Sequence, residues 1–216
     1  MLPFDLGKNN GENLEVLCIG AHSDDIEIGC GGTLLHLASS GQKPRFHWVV
    51  LSACEERRAE AAKAAKLFAG ECERQVEIAN FRDGFLPYAA EVKDFFEALK
   101  SRIQPDLIFT HWDGDAHQDH RLVSELTWNT FRNHFILEYE VPKYDGDLGR
   151  PNLFVSLEAQ RAEEKVNHLL ETFSSQRAKP WFDRQVFMGL MRIRGMECVS
   201  PSGYAEAFHC RKIVVR

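Results

Sequence analysis

The sequence predicts an α/β fold of Rossmann-like type: a mainly parallel β-sheet flanked by helices, in three α/β/α layers. Three observations lead there. Short apolar runs alternate with helical stretches of ten to fifteen residues, the pattern of consecutive βαβ units. Several apolar runs stop at glycine or at polar residues, as buried parallel strands do. Two densely charged segments fall where such runs end, and open α/β sheets bind ligands beyond the carboxyl ends of their strands. With 216 residues and no low-complexity linker or internal repeat, the chain is expected to form a single domain over 1–216.

Taken in order, Leu14 to Gly20 reads as a buried strand, and the helix that follows is expected to open at Gly32-Thr33 and close at Gly41. Phe46 to Ser52 is the next strand. The alanine-rich EERRAEAAKAAKLFAG is a helix closed by Gly70. VEIANF, DLIFTHW and HFILEYEVP read as strands, separated by the helices EVKDFFEALKSRI and HRLVSELTWNTFR. In the last third, PNLFVSL is a strand candidate, two helical segments begin near Glu158 and Phe182, and AFHCRKIVVR looks like a closing strand. YDGDLGRPN, 144–152, is the loopiest stretch and is expected on the surface near the site.

Composition narrows the function. A net charge of −6, with 44% hydrophobic and 27% charged residues, describes a globular protein rather than a general nucleic-acid binder, which would carry a basic face. The N-terminus has neither the basic start nor the apolar core of a signal peptide, and no apolar run is long enough to span a membrane. The six cysteines show no CxxC spacing and are expected to be reduced, mostly structural thiols of a cytoplasmic protein.

The chemistry concentrates in two segments. AHSDDIEIGCGG, 21–32, follows the first strand, and THWDGDAHQDH, 110–120, follows the fourth. Three histidines and three aspartates within the second need a cation or an extended hydrogen-bond network to compensate their desolvation. Zinc accounts for both segments most economically, since a catalytic zinc takes three ligands from His, Asp and Glu and keeps one position for water. His22 and Asp25 can face one ion from a turn, with Asp24 placed to accept a proton. The third ligand is His117 or His120. A phosphate-binding role for GCGGT is disfavoured, because it lacks the GxGxxG spacing and has carboxylates beside it. Close packing is the simpler use of Gly31 and Gly32.

AHSDDIEIGCGGT resembles the (A/G)HPDD signature of the PIG-L/LmbE-like zinc-dependent de-N-acetylases, and AHQDH resembles that family's HxDH motif. Their order and separation match, and the resemblance extends weakly to Ser174–Gln176 and more clearly to SGYAEAF, 202–208. It implies His22, Asp25 and His120 as zinc ligands, with iron(II) an alternative occupant, and Asp24 as general base. It implies that His117, in its protonated form, stabilises the oxyanion, and that Asp119 orients or tunes His117. Arg57, with Arg58 as the alternative, matches the family's substrate-contacting arginine. Ser23 replaces the usual proline, and Ile26 stands where many relatives have glutamate, a role not transferred to Glu27.

Around these, His111, Asp113 and Asp115 are candidates for the pocket wall, with His111 taken as a substrate contact. The resemblance brings Tyr204 to the substrate as well, and Glu206 near it. Arg192, Arg194, Tyr144 and Trp181 are weaker candidates for holding a sugar or phosphate, while His36 and His47 read as structural. The expected function is removal of an N-acetyl group from a GlcNAc-type amino sugar or conjugate. The alternatives are an amidase of the same fold acting on a thiol-sugar conjugate or another amide, a catalytically silent metal-binding module and a nucleotide-binding, dehydrogenase-like protein. The family's habit of association implies a homo-oligomer.

Overall fold

The computed structural model describes residues 13–41 and 43–214. The first twelve residues and the last two of the expected closing strand lie outside them. Seven strands form one sheet in the order β3-β2-β1-β4-β5-β7-β6. They are β1 (Glu15–Gly20), β2 (Arg45–Val50), β3 (Arg74–Ile78), β4 (Leu107–His111), β5 (Phe135–Tyr139), β6 (Leu153–Leu157) and β7 (Tyr204–His209). The first five run parallel, with Cys18 level with both Trp48 and Phe109. Strand β7 is antiparallel to both neighbours.

Period-two alternation in the strands feeds two cores. Val16 and Cys18 of β1 face the core shared with α1 (Asp25–Ser39), α2 (Glu55–Ala69), α5 (Ala159–Thr172) and α6 (Arg184–Glu197). Leu17 and Ile19 face the core shared with α3 (Ala90–Arg102) and α4 (Gln118–Thr130). The three layers are thus as expected. Helices α1 and α4 leave β1 and β4 toward opposite faces, so the crevice between these two strand ends is the switch point where an open α/β sheet takes its ligand.

Two expectations are corrected. The first helix opens at Asp25, not Gly32, so Gly29, Gly31 and Gly32 lie inside it. Glycine costs a helix interior about 1 kcal/mol relative to alanine, and contact explains its use here. A Cβ on Gly29 would stand 2.1 Å from Tyr139 Cδ2, and one on Gly32 would stand 2.5 Å from Leu157 Cδ1. The helix is pressed against the sheet at the spots where it has no side chain. The closing strand is Tyr204–His209 and ends before the basic tail.

Beneath α1 sits a buried ion pair. Lys165 Nζ donates to Glu206 Oε1 and to the Ile28 carbonyl, each at 2.6 Å. Glu206 also accepts from Gly32 N–H (2.8 Å) and from Thr33 N–H and Oγ1 (2.6 Å each). That places Glu206 under the helix rather than at the strand ends. The six cysteines are free thiols, and Cys18 is buried in β1 as its setting predicts. His36 is exposed on α1, and His47 reaches Glu15 across the β1–β2 pair.

Candidate metal centre

Strand β1 ends at Gly20, and the turn into α1 delivers His22, Asp24 and Asp25 to one spot. Asp25 Oδ2 accepts from His22 N–H (2.7 Å), which ties the turn to the first residue of the helix. From β4, residues 112–117 loop over to α4, whose first turn carries Asp119 and His120.

Three donor atoms converge. His22 Nδ1 is 3.2 Å from His120 Nε2 and 3.4 Å from Asp25 Oδ2, and His120 Nε2 is 3.6 Å from Asp25 Oδ2. Ligands about 2.0–2.1 Å from a tetrahedral zinc stand ~3.3 Å apart. The triangle therefore fits such an ion, and two imidazoles with one carboxylate are the donors zinc or iron(II) accepts. His117 flanks it, with its ring 4.9 Å from His22 and 4.7 Å from His120.

His22 and His120 each have a carboxylate behind them, an arrangement that around a metal ion fixes ring orientation and raises ligand basicity. His120 Nδ1 meets Asp115 Oδ2 at 2.9 Å, and Lys143 Nζ holds the same oxygen at 2.8 Å. His22 Nε2 meets Asp119 Oδ2 at 3.3 Å and Asp83 Oδ1 at 3.1 Å. As expected, the Asp119 charge acts on His117, pulling its pKa up against burial, but the hydrogen bonds of the carboxylate go elsewhere. It turns to His22 and accepts the backbone N–H groups of Gly84 (2.7 Å) and Leu86 (3.2 Å). What reaches His117 is the Asp119 backbone N–H, which donates to Nδ1 at 3.2 Å.

The electrostatics follow from burial and close charge. Burial works against the Asp25 carboxylate, but His120, His111 and His22 overcome it and hold its pKa well below the usual range. Burial likewise lowers His22, yet Asp25, Asp119 and Asp83 bring it well above the ordinary histidine value. Burial and neighbouring imidazoles lower both His117 and His120. Asp24 is raised by burial, against the pull of Arg57. Its Oδ1 accepts from Arg57 Nη2 at 2.5 Å, while Oδ2 is buried with no partner. Glu27 is fully buried with both oxygens unpartnered and is pushed well up by that burial.

Two expected substrate contacts are corrected. His111 has no exposed surface: it lies behind Asp25 (3.1 Å), accepts from Ala21 N–H (3.0 Å) and stacks on His120 at 3.9 Å. It buttresses the cluster from below. Tyr204 starts β7, two strands beyond β4, and its ring faces Arg192 at 5.7 Å. Among the described residues it touches no member of the cluster. Arg194 is tied up with Glu140 and Glu197, and Asp113 pairs with Arg211. Sequence reasoning misses Asp83 and Lys143. Asp83 sits on the turn after β3, a third strand end in the parallel sheet. The strand-end rule points to it, although a lone Asp-Gly turn carries no metal signature. The hydrogen bond to His22 holds Asp83 down at about 2.

Fold and site together define a doubly wound α/β protein with a His/Asp cluster, able to hold a metal ion, at its switch point. The family model described as PIG-L, GlcNAc-PI de-N-acetylase, matches residues 17–131, more than half of the chain. The chain belongs to this family and carries its deacetylase fold. An Escherichia coli (strain K12) protein named as the uncharacterized deacetylase YaiS is 31% identical over 141 residues, covering 59% of this chain and 74% of that protein.

Solved structures agree on the fold. The conserved protein TT1542 from Thermus thermophilus superposes with TM-score 0.74 at 23% identity, over 94% of this chain and 97% of that one. The N,N'-diacetylchitobiose deacetylase from Pyrococcus horikoshii gives 0.70 at 24%, over 96% and 87%. GalB, the 4-carboxy-2-hydroxymuconate hydratase from Pseudomonas putida KT2440, gives 0.75 at 18%, over 94% and 98%. One fold therefore serves proteins named for different reactions, and the reaction has to be argued from the site.

Proposed function

We propose that this protein is a zinc-dependent N-deacetylase that hydrolyses the acetamide of a GlcNAc-type amino sugar or conjugate. The observation that carries the reading is the His22–Asp25–His120 triangle with a buried, unpartnered carboxylate oxygen on the adjacent Asp24. A binding or structural site needs the triangle but has no use for that oxygen. The match to a de-N-acetylase family and the likeness to a chitobiose deacetylase support the choice of substrate.

His22 Nδ1, Asp25 Oδ2 and His120 Nε2 would hold the ion. When bound, zinc supplies Lewis acidity, polarising a carbonyl and lowering the pKa of water toward ~7. Arg57 occupies Asp24 Oδ1, so Oδ2 is the oxygen left to take a proton from the attacking water. Burial strengthens Asp24 as a base. His117 accepts at Nδ1 from the Asp119 backbone, which makes Nε2–H the neutral tautomer. That N–H, rather than the imidazolium expected from the family resemblance, donates to the oxygen that gains charge, a contact typically worth ~3–4 kcal/mol. The proton on Asp24 then passes to the departing nitrogen, and the C–N bond breaks to give acetate and a primary amine.

The test is acetate release by zinc-loaded protein from GlcNAc, its short oligomers, nucleotide-linked GlcNAc and GlcNAc conjugates. Release is expected to fall about 10²–10⁴-fold in Asp24→Asn with zinc content intact. His22→Ala and His120→Ala are expected to lose the zinc. Metal-loaded protein that releases acetate from no member of the panel overturns the amino-sugar assignment. Undiminished release by Asp24→Asn overturns the base.

A further inference from the structure

The two imidazoles of the triangle are backed differently. Behind His22 stand two carboxylates, Asp119 (3.3 Å) and Asp83 (3.1 Å), and among the described residues neither pairs with a lysine or an arginine. Behind His120 stands Asp115, whose Oδ2 meets the imidazole Nδ1 at 2.9 Å and the Lys143 ammonium at 2.8 Å. That one oxygen is shared between the ring of an expected metal ligand and a full positive charge.

The fold delivers Lys143 to this spot. Strand β5 ends at Tyr139 beside β4, and the buried Val141 and Pro142 carry the chain onward from the same edge of the sheet. The Lys143 side chain is 10% exposed, and its ammonium donates to Asp115 Oδ2, to Asp147 Oδ2 (2.5 Å) and to the Val141 carbonyl (3.3 Å). Asp147 Oδ2 also accepts from Ala116 N–H (2.6 Å), and Asp115 Oδ1 accepts from His117 N–H (2.7 Å). The loop after β5 is thereby joined to the loop that carries His117.

A carboxylate behind a ligand histidine strengthens it as a donor by drawing on its ring N–H. A cation on the same carboxylate oxygen does the reverse, because charge engaged by the ammonium is withdrawn from the imidazole. We infer that Lys143 is a positioning residue acting through Asp115, and that it holds His120 below the donor strength its carboxylate would otherwise confer. A weaker donor leaves more of the ion's charge for the carbonyl it polarises. The sign sets this role apart from that of a plain brace. Losing a brace loosens His120 and weakens zinc binding, whereas losing a cation that drains Asp115 strengthens it.

This inference rests on the zinc-deacetylase reading, and its test separates the two. Zinc affinity of the full-length protein is measured by competition with a chromophoric chelator. Lys143→Met is expected to bind zinc about tenfold tighter, a change of the size typical for partners behind metal ligands. In an Asp115→Asn background the same substitution is expected to shift affinity by less than about twofold, since residues that act through one another are not additive. Lys143→Gln, neutral but still able to donate, is expected to tighten zinc in the same direction and serves if the methionine variant fails to fold. In the zinc-loaded neutral variant, the His120 Nδ1–H proton is expected downfield of its wild-type position in NMR spectra, the mark of a stronger bond to Asp115. Zinc binding unchanged or weaker, a proton that stays or moves upfield, or a tightening that survives Asp115→Asn overturns the inference. Acetate release by the wild-type protein, with zinc affinity unmoved in the variants, removes this role of Lys143 and keeps the deacetylase. Tightening without acetate release from any sugar removes the deacetylase and keeps the role. Where acetate is released, kcat is expected to fall about tenfold in the neutral variant with KM little changed, and a kcat that does not fall overturns the inference.

Discussion

Gly29→Ala would test how α1 is seated. The added Cβ would lie 2.1 Å from Tyr139 Cδ2 and 2.4 Å from Cγ, against an ordinary carbon contact of ~3.5–4.0 Å. Either the ring or the helix must give way by roughly 1.5 Å. Tyr139 cannot yield freely, because its hydroxyl donates to the Ile19 carbonyl at 2.7 Å inside β1. Overpacking costs ~1–3 kcal/mol, and loss of that buried hydrogen bond another ~1–3 kcal/mol. The higher helix propensity of alanine returns ~1 kcal/mol. The net is a loss of about 3 kcal/mol, or a melting midpoint ~6–12 °C lower for a chain of this size. Zinc affinity should fall with it, since the same tyrosine stands 3.4 Å from His111 Nε2, behind Asp25. Differential scanning calorimetry with and without zinc reads both effects. A midpoint unchanged or raised, as propensity alone predicts, would refute the close seating of α1 on the sheet.

Two further outcomes concern stability. Lys165→Met leaves Glu206 buried without its cation and should cost ~3–5 kcal/mol, which chemical denaturation would measure; adding Glu206→Gln should restore part of the loss. His209, stacked on Trp112 at 4.4 Å, is lowered by burial to about 4. The unfolded chain therefore binds its proton near pH 6.5 while the native state stays neutral, and stability falls as pH drops from 6.5 toward 4. From pH 7 to 5 this amounts to at most ~2 kcal/mol, and to ~1–2 once the 15% exposure of the ring is discounted. Urea midpoints at the two pH values should converge in His209→Phe; an unchanged gap would remove His209 as the cause.

The parallel sheet and the gathering of the two charged segments were legible because apolar periodicity and strand ends are local signals. The destination of each side chain was not. Asp119 lies next to His120 in the chain, yet its direction depends on the turn after β3, more than thirty residues away. His111 belongs to a charged run and looks like a pocket residue, but strand alternation turns it under Asp25. Gly31 and Gly32 suggest a turn, because glycine rarely sits inside a helix unless another chain segment needs the space. Their expected packing role holds, but from within α1. Asp83 escapes notice because a single carboxylate on a turn is ordinary until the fold brings it to His22.

The family match ends at residue 131 and includes every expected metal ligand. Phe68 on α2 backs Gly31 from within the match, but much of what α1 leans on comes later in the chain: Tyr139 on β5, Leu157 on β6, Lys165 on α5 and Glu206 on β7. A fragment cut at the end of the match would keep every expected metal ligand, yet lose Lys143 behind Asp115 and most of the bed on which its first helix lies. The later part of the chain thus underlies the His/Asp cluster, so insertions and fusions have room in the exposed loops of that region but not in its strands.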